Sequence, residues 1–128
     1  MSLDGELGSY ISLATFRRDG KAVETPVWFA EHDRKLYVFT EGAAYKVKRL
    51  RRDARVKVAR CGALGRVTGA WRAGRGRIIE DAPTEAAAYA ALRAKYGWQM
   101  TLVDTLSRLS GRIDDRVILE ISLDGPPA

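Results

Sequence analysis

One cysteine, Cys61, and one histidine, His32, are all that the 128 residues hold of the two most selective metal-binding side chains. A lone thiol excludes an internal disulfide, and one thiol with one imidazole falls short of a protein zinc site. The histidine sits in the polar turn "EHDRK" with no serine in a suitable context, so a Ser-His-Asp triad has no support. There is no P-loop, and the "GRG" of residues 74–76 is followed neither by a third glycine nor by a helical pattern, which removes the dinucleotide fingerprint. No apolar run approaches the roughly 18–20 residues of a membrane span. The N-terminus has neither the basic start nor the apolar core of a secretory signal, so the expectation is a cytoplasmic protein without a membrane partner. If such a chain is an enzyme, a cofactor must carry the chemistry.

What is present is a soluble, globular composition with 46% hydrophobic and 30% charged residues. The length fits one domain spanning residues 1–128, with loose ends at 1–8 and 124–128. The formal charge of +6 suits an anionic partner or serves solubility, and by itself does not choose between them.

The first half reads as strands. "YISLATFR", residues 10–17, alternates as a half-buried strand, and "RDGK" offers an Asp-Gly turn into a second strand over residues 22–31. Pro26 interrupts that second strand and demands an edge position or a bulge. "LYVFT", residues 36–40, is a third strand. Ala43, Val47, Leu50 and Ala54 then recur at the spacing of a short helix, and residues 56–60 alternate as a fourth strand. A glycine-rich loop over 61–74 leads to a fifth strand at 75–81. Residues 84–96 predict a helix capped by Thr84 and stopped by Gly97, residues 100–111 a second helical segment, and residues 115–123 a final apolar strand. Six strands with interrupting helices make a small, mainly β, antiparallel barrel with attached α-helices.

Eight lysines and arginines against one acid, Asp53, crowd into "YKVKRLRRDARVKVAR", residues 45–60. Arg51, Arg52 and Arg55 lie towards the C-terminal end of the predicted helix, where its dipole favours cations without any ligand. Lys46 and Lys48 lie in the first turns, where the dipole disfavours them. They are either solvated or partners of an anion held at the helix N-terminus. A nucleic acid stacking on Tyr45, Trp28 or Trp71 would use the same charges. Acids spread through the rest of the chain and the lack of an RNA-module motif speak against it.

The ordered segments "SLATFRRDGKAVETPVWFAE", "LYVFTEGAAYKVKRLRRDARVKVARC", "GRVTG" and "KYGWQ" resemble the flavin-binding split-barrel family, the pyridoxamine 5′-phosphate oxidase-like group. Within it they are most similar to the branch of deazaflavin (coenzyme F-420)-dependent enzymes of actinobacteria, over residues 9–123. The resemblance implies a dimeric, six-stranded antiparallel split β-barrel of the FMN-binding type: a homodimer with a cofactor in each cleft between subunits. It implies that Lys46 binds the cofactor phosphate, with Lys48, Arg49 and Arg52 lining that end or meeting an acidic oligoglutamate tail. Thr25, Pro26, Val27 and Trp28 would lie against the ring, with Thr40 nearby, and Trp71 would reach the partner subunit's cofactor. The second strand lacks the basic residues of the true oxidases, so vitamin B6 oxidation is not expected. The implied activity is hydride transfer from reduced F-420 to an electron-poor small-molecule redox substrate, with no catalytic side chain identified. The alternatives are FMN in place of F-420, a haem-binding split barrel, or a cofactor carrier with little turnover.

Overall fold

The computed structural model of the chain describes residues 3–42, 44–111 and 115–124. In chain order the elements are α1 (Leu3–Leu7), β1 (Ile11–Phe16), β2 (Ala22–Val27), β3 (Ala30–His32), β4 (Lys35–Glu41) and α2 (Tyr45–Arg52). They are followed by β5 (Arg55–Arg60), β6 (Arg72–Ile79), α3 (Ala82–Tyr96), α4 (Trp98–Leu109) and β7 (Arg116–Leu123). All strands join one antiparallel sheet in the order β2-β1-β5-β6-β7-β4-β3.

That order forces the sheet to curl. β2 and β3 are its opposite edges, yet only Trp28 and Phe29 separate them in sequence. Three Cα–Cα steps reach no further than about 11 Å, so the two edges must meet at that point. The enclosed face carries Ile11, Leu13, Leu36, Val38, Val58, Leu119 and Ile121, all essentially without exposure. The fold is therefore the mainly β, curled antiparallel barrel with helices that the sequence pattern predicts.

The strand count differs, seven instead of six, because the expected strand at 22–31 is broken. At Phe29 the backbone leaves the ladder: its N–H donates to Tyr96 Oη (3.0 Å), and its carbonyl accepts from the same hydroxyl (2.9 Å). Pro26 lies on the edge strand β2, opposite Ser12, where a missing N–H is tolerated. The Asp-Gly turn before β2 forms as expected, with Gly20 at a φ of 86° and Asp19 Oδ1 accepting from the Lys21 N–H (3.0 Å).

Helix α2 covers one end of the barrel, burying Val47 and Leu50. Ala43, the first member of the predicted stripe, lies outside the described residues. The helix settles closely on β6 because Gly76 has no side chain: a Cβ there would stand 3.1 Å from Leu50 Cδ2. Helices α3 and α4 form a second apolar layer outside the barrel, in which Ala88, Leu92, Tyr96 and Met100 pack on Ala30, Tyr37, Ile79 and Ile118. Helix α3 begins two residues earlier than expected. Its cap is Asp81, whose carboxylate accepts the Thr84 N–H (2.9 Å), and Pro83 sits in the first turn where no N–H is needed.

The loose end expected at residues 1–8 is instead partly helical. Residues 3–7 form α1, and Leu7 is buried in the barrel core. At the other end the Asp124 N–H donates to the Ala73 carbonyl (2.9 Å), and residues 125–128 lie outside the described residues. No helix among the described residues is long and apolar enough to cross a membrane.

Candidate cofactor cleft

Alternation along β4 turns Leu36 and Val38 into the barrel and Tyr37 and Phe39 outward. The outward ring of Phe39 borders two adjoining clefts. One, of about 340 Å³, is lined also by Thr40, Glu41, Ala44, Lys46, Ser107 and Arg116. The other, of about 310 Å³, is lined also by Tyr10, Pro26, Val27, Trp28 and Val103. Phe39 is the one residue common to both, and the pair is called the trough, with a charged end lined by Lys46, Arg116 and Glu41 and an apolar end.

The charged end is set by α2. Ala44 at its N-cap has no side-chain acceptor, and no acid stands in its first turn. Lys46 Nζ donates to Thr40 Oγ1 (3.3 Å) and forms no ion pair among the described residues. Burial, and then the neighbouring Arg49, push this ammonium below the usual lysine range, and Glu41 partly opposes them. A half-buried ammonium beside a hydroxyl and a helix N-terminus suits an anion; Glu41 lines the same cleft and acts on it electrostatically, but forms no ion pair with it among the described residues.

At the apolar end Trp28 is held by its neighbours. Its ring stacks on Tyr96 at 4.4 Å and 11°, and meets Phe39 edge-on at 6.4 Å. Tyr96 is fixed in turn by its hydroxyl, which joins the Ser9 carbonyl (2.7 Å) to both backbone groups of Phe29. Tyr96→Phe keeps the stacked ring but strands a buried N–H, a loss of about 1–3 kcal/mol. The expected result is a melting temperature several degrees lower, with altered Trp28 emission in a background lacking the other two tryptophans. Unchanged stability and emission would show that the hydroxyl does not hold the wall.

Behind Phe39 lies a buried ion pair. Arg116 donates through Nη1 to Asp104 Oδ1 (2.7 Å) and through Nη2 to Ser107 Oγ (2.6 Å), and its guanidinium lies 4.7 Å over the Phe39 ring. It joins β7 to α4 and so fixes one wall of the trough.

Of the residues expected at the site, the structure brings Pro26, Val27, Trp28, Thr40 and Lys46 to this trough. Thr25 pairs with Leu13 and shares its inward face of the sheet, bordering neither cleft. Lys48 is exposed, with Nζ 5.3 Å from the Tyr45 ring centre. Arg49 Nε donates to Thr15 Oγ1 (2.6 Å), and Arg52 donates to the Phe16 carbonyl, so both lean on the end of β1. Trp71 precedes β6 and lines neither cleft within this chain. Tyr10, Phe39, Val103, Ser107 and Arg116 are additional wall residues. Only the last had a signal in the sequence: Met100 and Asp104, four apart, set an acid on the inner face of a helix, where it requires a cation.

The sequence profile of the family described as pyridoxamine 5′-phosphate oxidase matches residues 9–125. A search of curated proteins found no significant match. Among solved structures, HutZ, the haem storage protein of Vibrio cholerae, superposes with a TM-score of 0.70 at 14% identity, over 98% of this chain and 93% of that one. The conserved hypothetical protein Rv2991 of Mycobacterium tuberculosis gives 0.70 at 21% identity, over 98% and 82%. A structure named as an F420 reductase gives 0.60 at 19% identity, over 95% and 93%. These identities establish a shared fold. With nearly the whole sequence matched and the curled sheet in common, the chain belongs to the pyridoxamine 5′-phosphate oxidase family.

Proposed function

We propose that this protein is an oxidoreductase that binds the deazaflavin coenzyme F-420 along the trough, its phosphate at Lys46 and its ring against Pro26, Val27 and Trp28. The observation that carries the reading is Lys46: a half-buried ammonium with no ion pair among the described residues, at the polar end of an otherwise apolar groove. The residues present fit such a molecule, since Lys46 and Thr40 supply donors for an anion and Trp28 supplies a flat wall for a ring. When bound, the reduced coenzyme supplies a hydride for an electron-poor small molecule. The protein's part is to bind and orient: Lys46 anchors, Trp28 fixes the plane, and the rings of Phe39 and Tyr10 keep water from the groove.

FMN has a phosphate and a tricyclic ring as well and would use the same groups. Haem is favoured less, because the imidazole or thiolate that commonly holds its iron is missing here: neither His32 nor Cys61 lines either cleft.

A side-by-side fluorescence titration of the cofactor-free protein with F-420 and FMN, at moderate salt, tests the reading. Tighter F-420 binding is expected, followed by turnover of enones or quinones with the reduced coenzyme. Preference for FMN reassigns the cofactor, binding without turnover on any substrate makes the protein a carrier, and binding of neither overturns the proposal. The pH dependence has a definite sign. Only protonated Lys46 attracts the anion, and its pKa is depressed, so affinity should fall as pH rises through values below the usual lysine range. Lys46→Arg should keep its affinity to higher pH.

A further inference from the structure

Alternation along β5 and β6 sends Val56, Val58 and Gly74 into the barrel and leaves Arg55, Lys57, Ala73 and Arg75 on the outer face of the sheet. Helices α3 and α4 pack over β3, β4, β7 and the far end of β6, and these four residues stay exposed. In the β5–β6 register Arg55 stands directly opposite Arg75, with Lys57 next along the same face. Like charges placed so repel and cost stability. Asp53 relieves only one of the three cations, since its carboxylate accepts from Nε (3.1 Å) and Nη2 (2.7 Å) of Arg55. The side chains of Lys57 and Arg75 form no ion pair and no hydrogen bond among the described residues. The three cations border a cleft of about 340 Å³ that shares no lining residue with the trough. Its apolar part is Phe16, Ala73 and Gly74, and Asp124 is the one acid lining it. The Phe16 ring is held by the Arg55 guanidinium, 5.2 Å from its centre.

We infer that this cleft is a second ligand site, one that takes a small aromatic phosphate monoester. The ring lies against Phe16 and Ala73, where contact removes apolar surface from water. The phosphate, with close to two negative charges at neutral pH, meets Lys57 and Arg75, which no protein carboxylate pairs. Solubility alone does not account for the arrangement: cations spread apart would serve it equally, without a repelling pair fixed across two strands. An anion between them turns that repulsion into binding. The inference does not rest on which cofactor the trough holds.

The test is a titration of the full, cofactor-free chain with phenyl phosphate at moderate salt, followed by the NMR shifts of backbone amides, beside inorganic phosphate and benzyl alcohol. A saturable set of shifts on Phe16, Lys57, Ala73 and Arg75 is expected, with a Kd below about 1 mM. The two part-ligands should bind there at least roughly 10-fold more weakly. Should the trough take the probe as well, Lys46→Met removes that second set of shifts and leaves this one. Lys57→Gln with Arg75→Gln should weaken binding at the cleft by roughly 10- to 100-fold. The same double variant should melt no lower than wild type, because the repulsion goes with the charges. Absence of shifts at the cleft overturns the proposal, as does their loss in Lys46→Met, inorganic phosphate that binds as tightly as phenyl phosphate, or an unchanged affinity in the double variant. Should that variant fail to fold, the position of the shifts in the wild-type protein still decides.

Discussion

Lys46→Met is expected to weaken binding of the phosphorylated coenzyme by roughly 10- to 100-fold, the equivalent of one charge-assisted contact, while leaving the fold no less stable than wild type. The two effects have one cause. In the free protein the Lys46 ammonium is held out of water, next to Arg49, with a single hydroxyl at 3.3 Å as its hydrogen-bond partner among the described residues. A methionine of similar length fills the same space with no charge to desolvate. Paired titration and thermal melting check both halves. Unchanged affinity would remove Lys46 from the site, and a folded protein that melts far below wild type would mean that the ammonium has a structural partner.

Asp104→Ala is expected to cost about 3–5 kcal/mol, because it leaves the Arg116 guanidinium buried without its carboxylate. Few single changes in a domain of ordinary stability would be as damaging. The side chains of Arg116 and Asp104 are 5% and 9% exposed, so water cannot replace the lost oxygen. Arg93, 3.6 Å from the other carboxylate oxygen, is more than half exposed and contributes little. Urea denaturation measures the loss. Replacing both members, Asp104→Leu with Arg116→Met, should recover most of it, since no charge then remains buried. A cost for Asp104→Ala below about 1 kcal/mol would refute the assignment of this pair as the tie between α4 and β7.

The parts of this fold that were legible in the sequence are those governed by near neighbours. Alternation located β1 and β5, runs of apolar and β-rich residues located β4 and β7, the Asp-Gly pair located the first hairpin, and Gly97 located the end of α3. Thr40 and Lys46 enter the site together only through the family resemblance, and the structure adds the hydrogen bond between them (3.3 Å). What was not legible depends on partners distant in sequence. The break between β2 and β3 requires a hydroxyl 67 residues away, and nothing local to "TPVWFAE" announces it. Arg49 and Arg52 look equivalent to Lys46 in a run of basic residues. The rotation of α2 about its axis, fixed by Val47 and Leu50 in the core, turns them towards Thr15 and Phe16 instead. Helix α1 is too short to reveal itself by periodicity and is anchored by the burial of Leu7.

The two edge strands of the curled sheet carry a further consequence, for the behaviour of the protein in a crowded solution. An open edge is a template on which a foreign strand can polymerise. Here β3 is only three residues long and β2 carries Pro26, which offers no N–H to an incoming chain. The same proline that flanks the trough therefore also works as a guard against aggregation. A substitution made there to reshape the groove would bring a new amide onto an edge strand along with the new side chain, and with it a route to fibres.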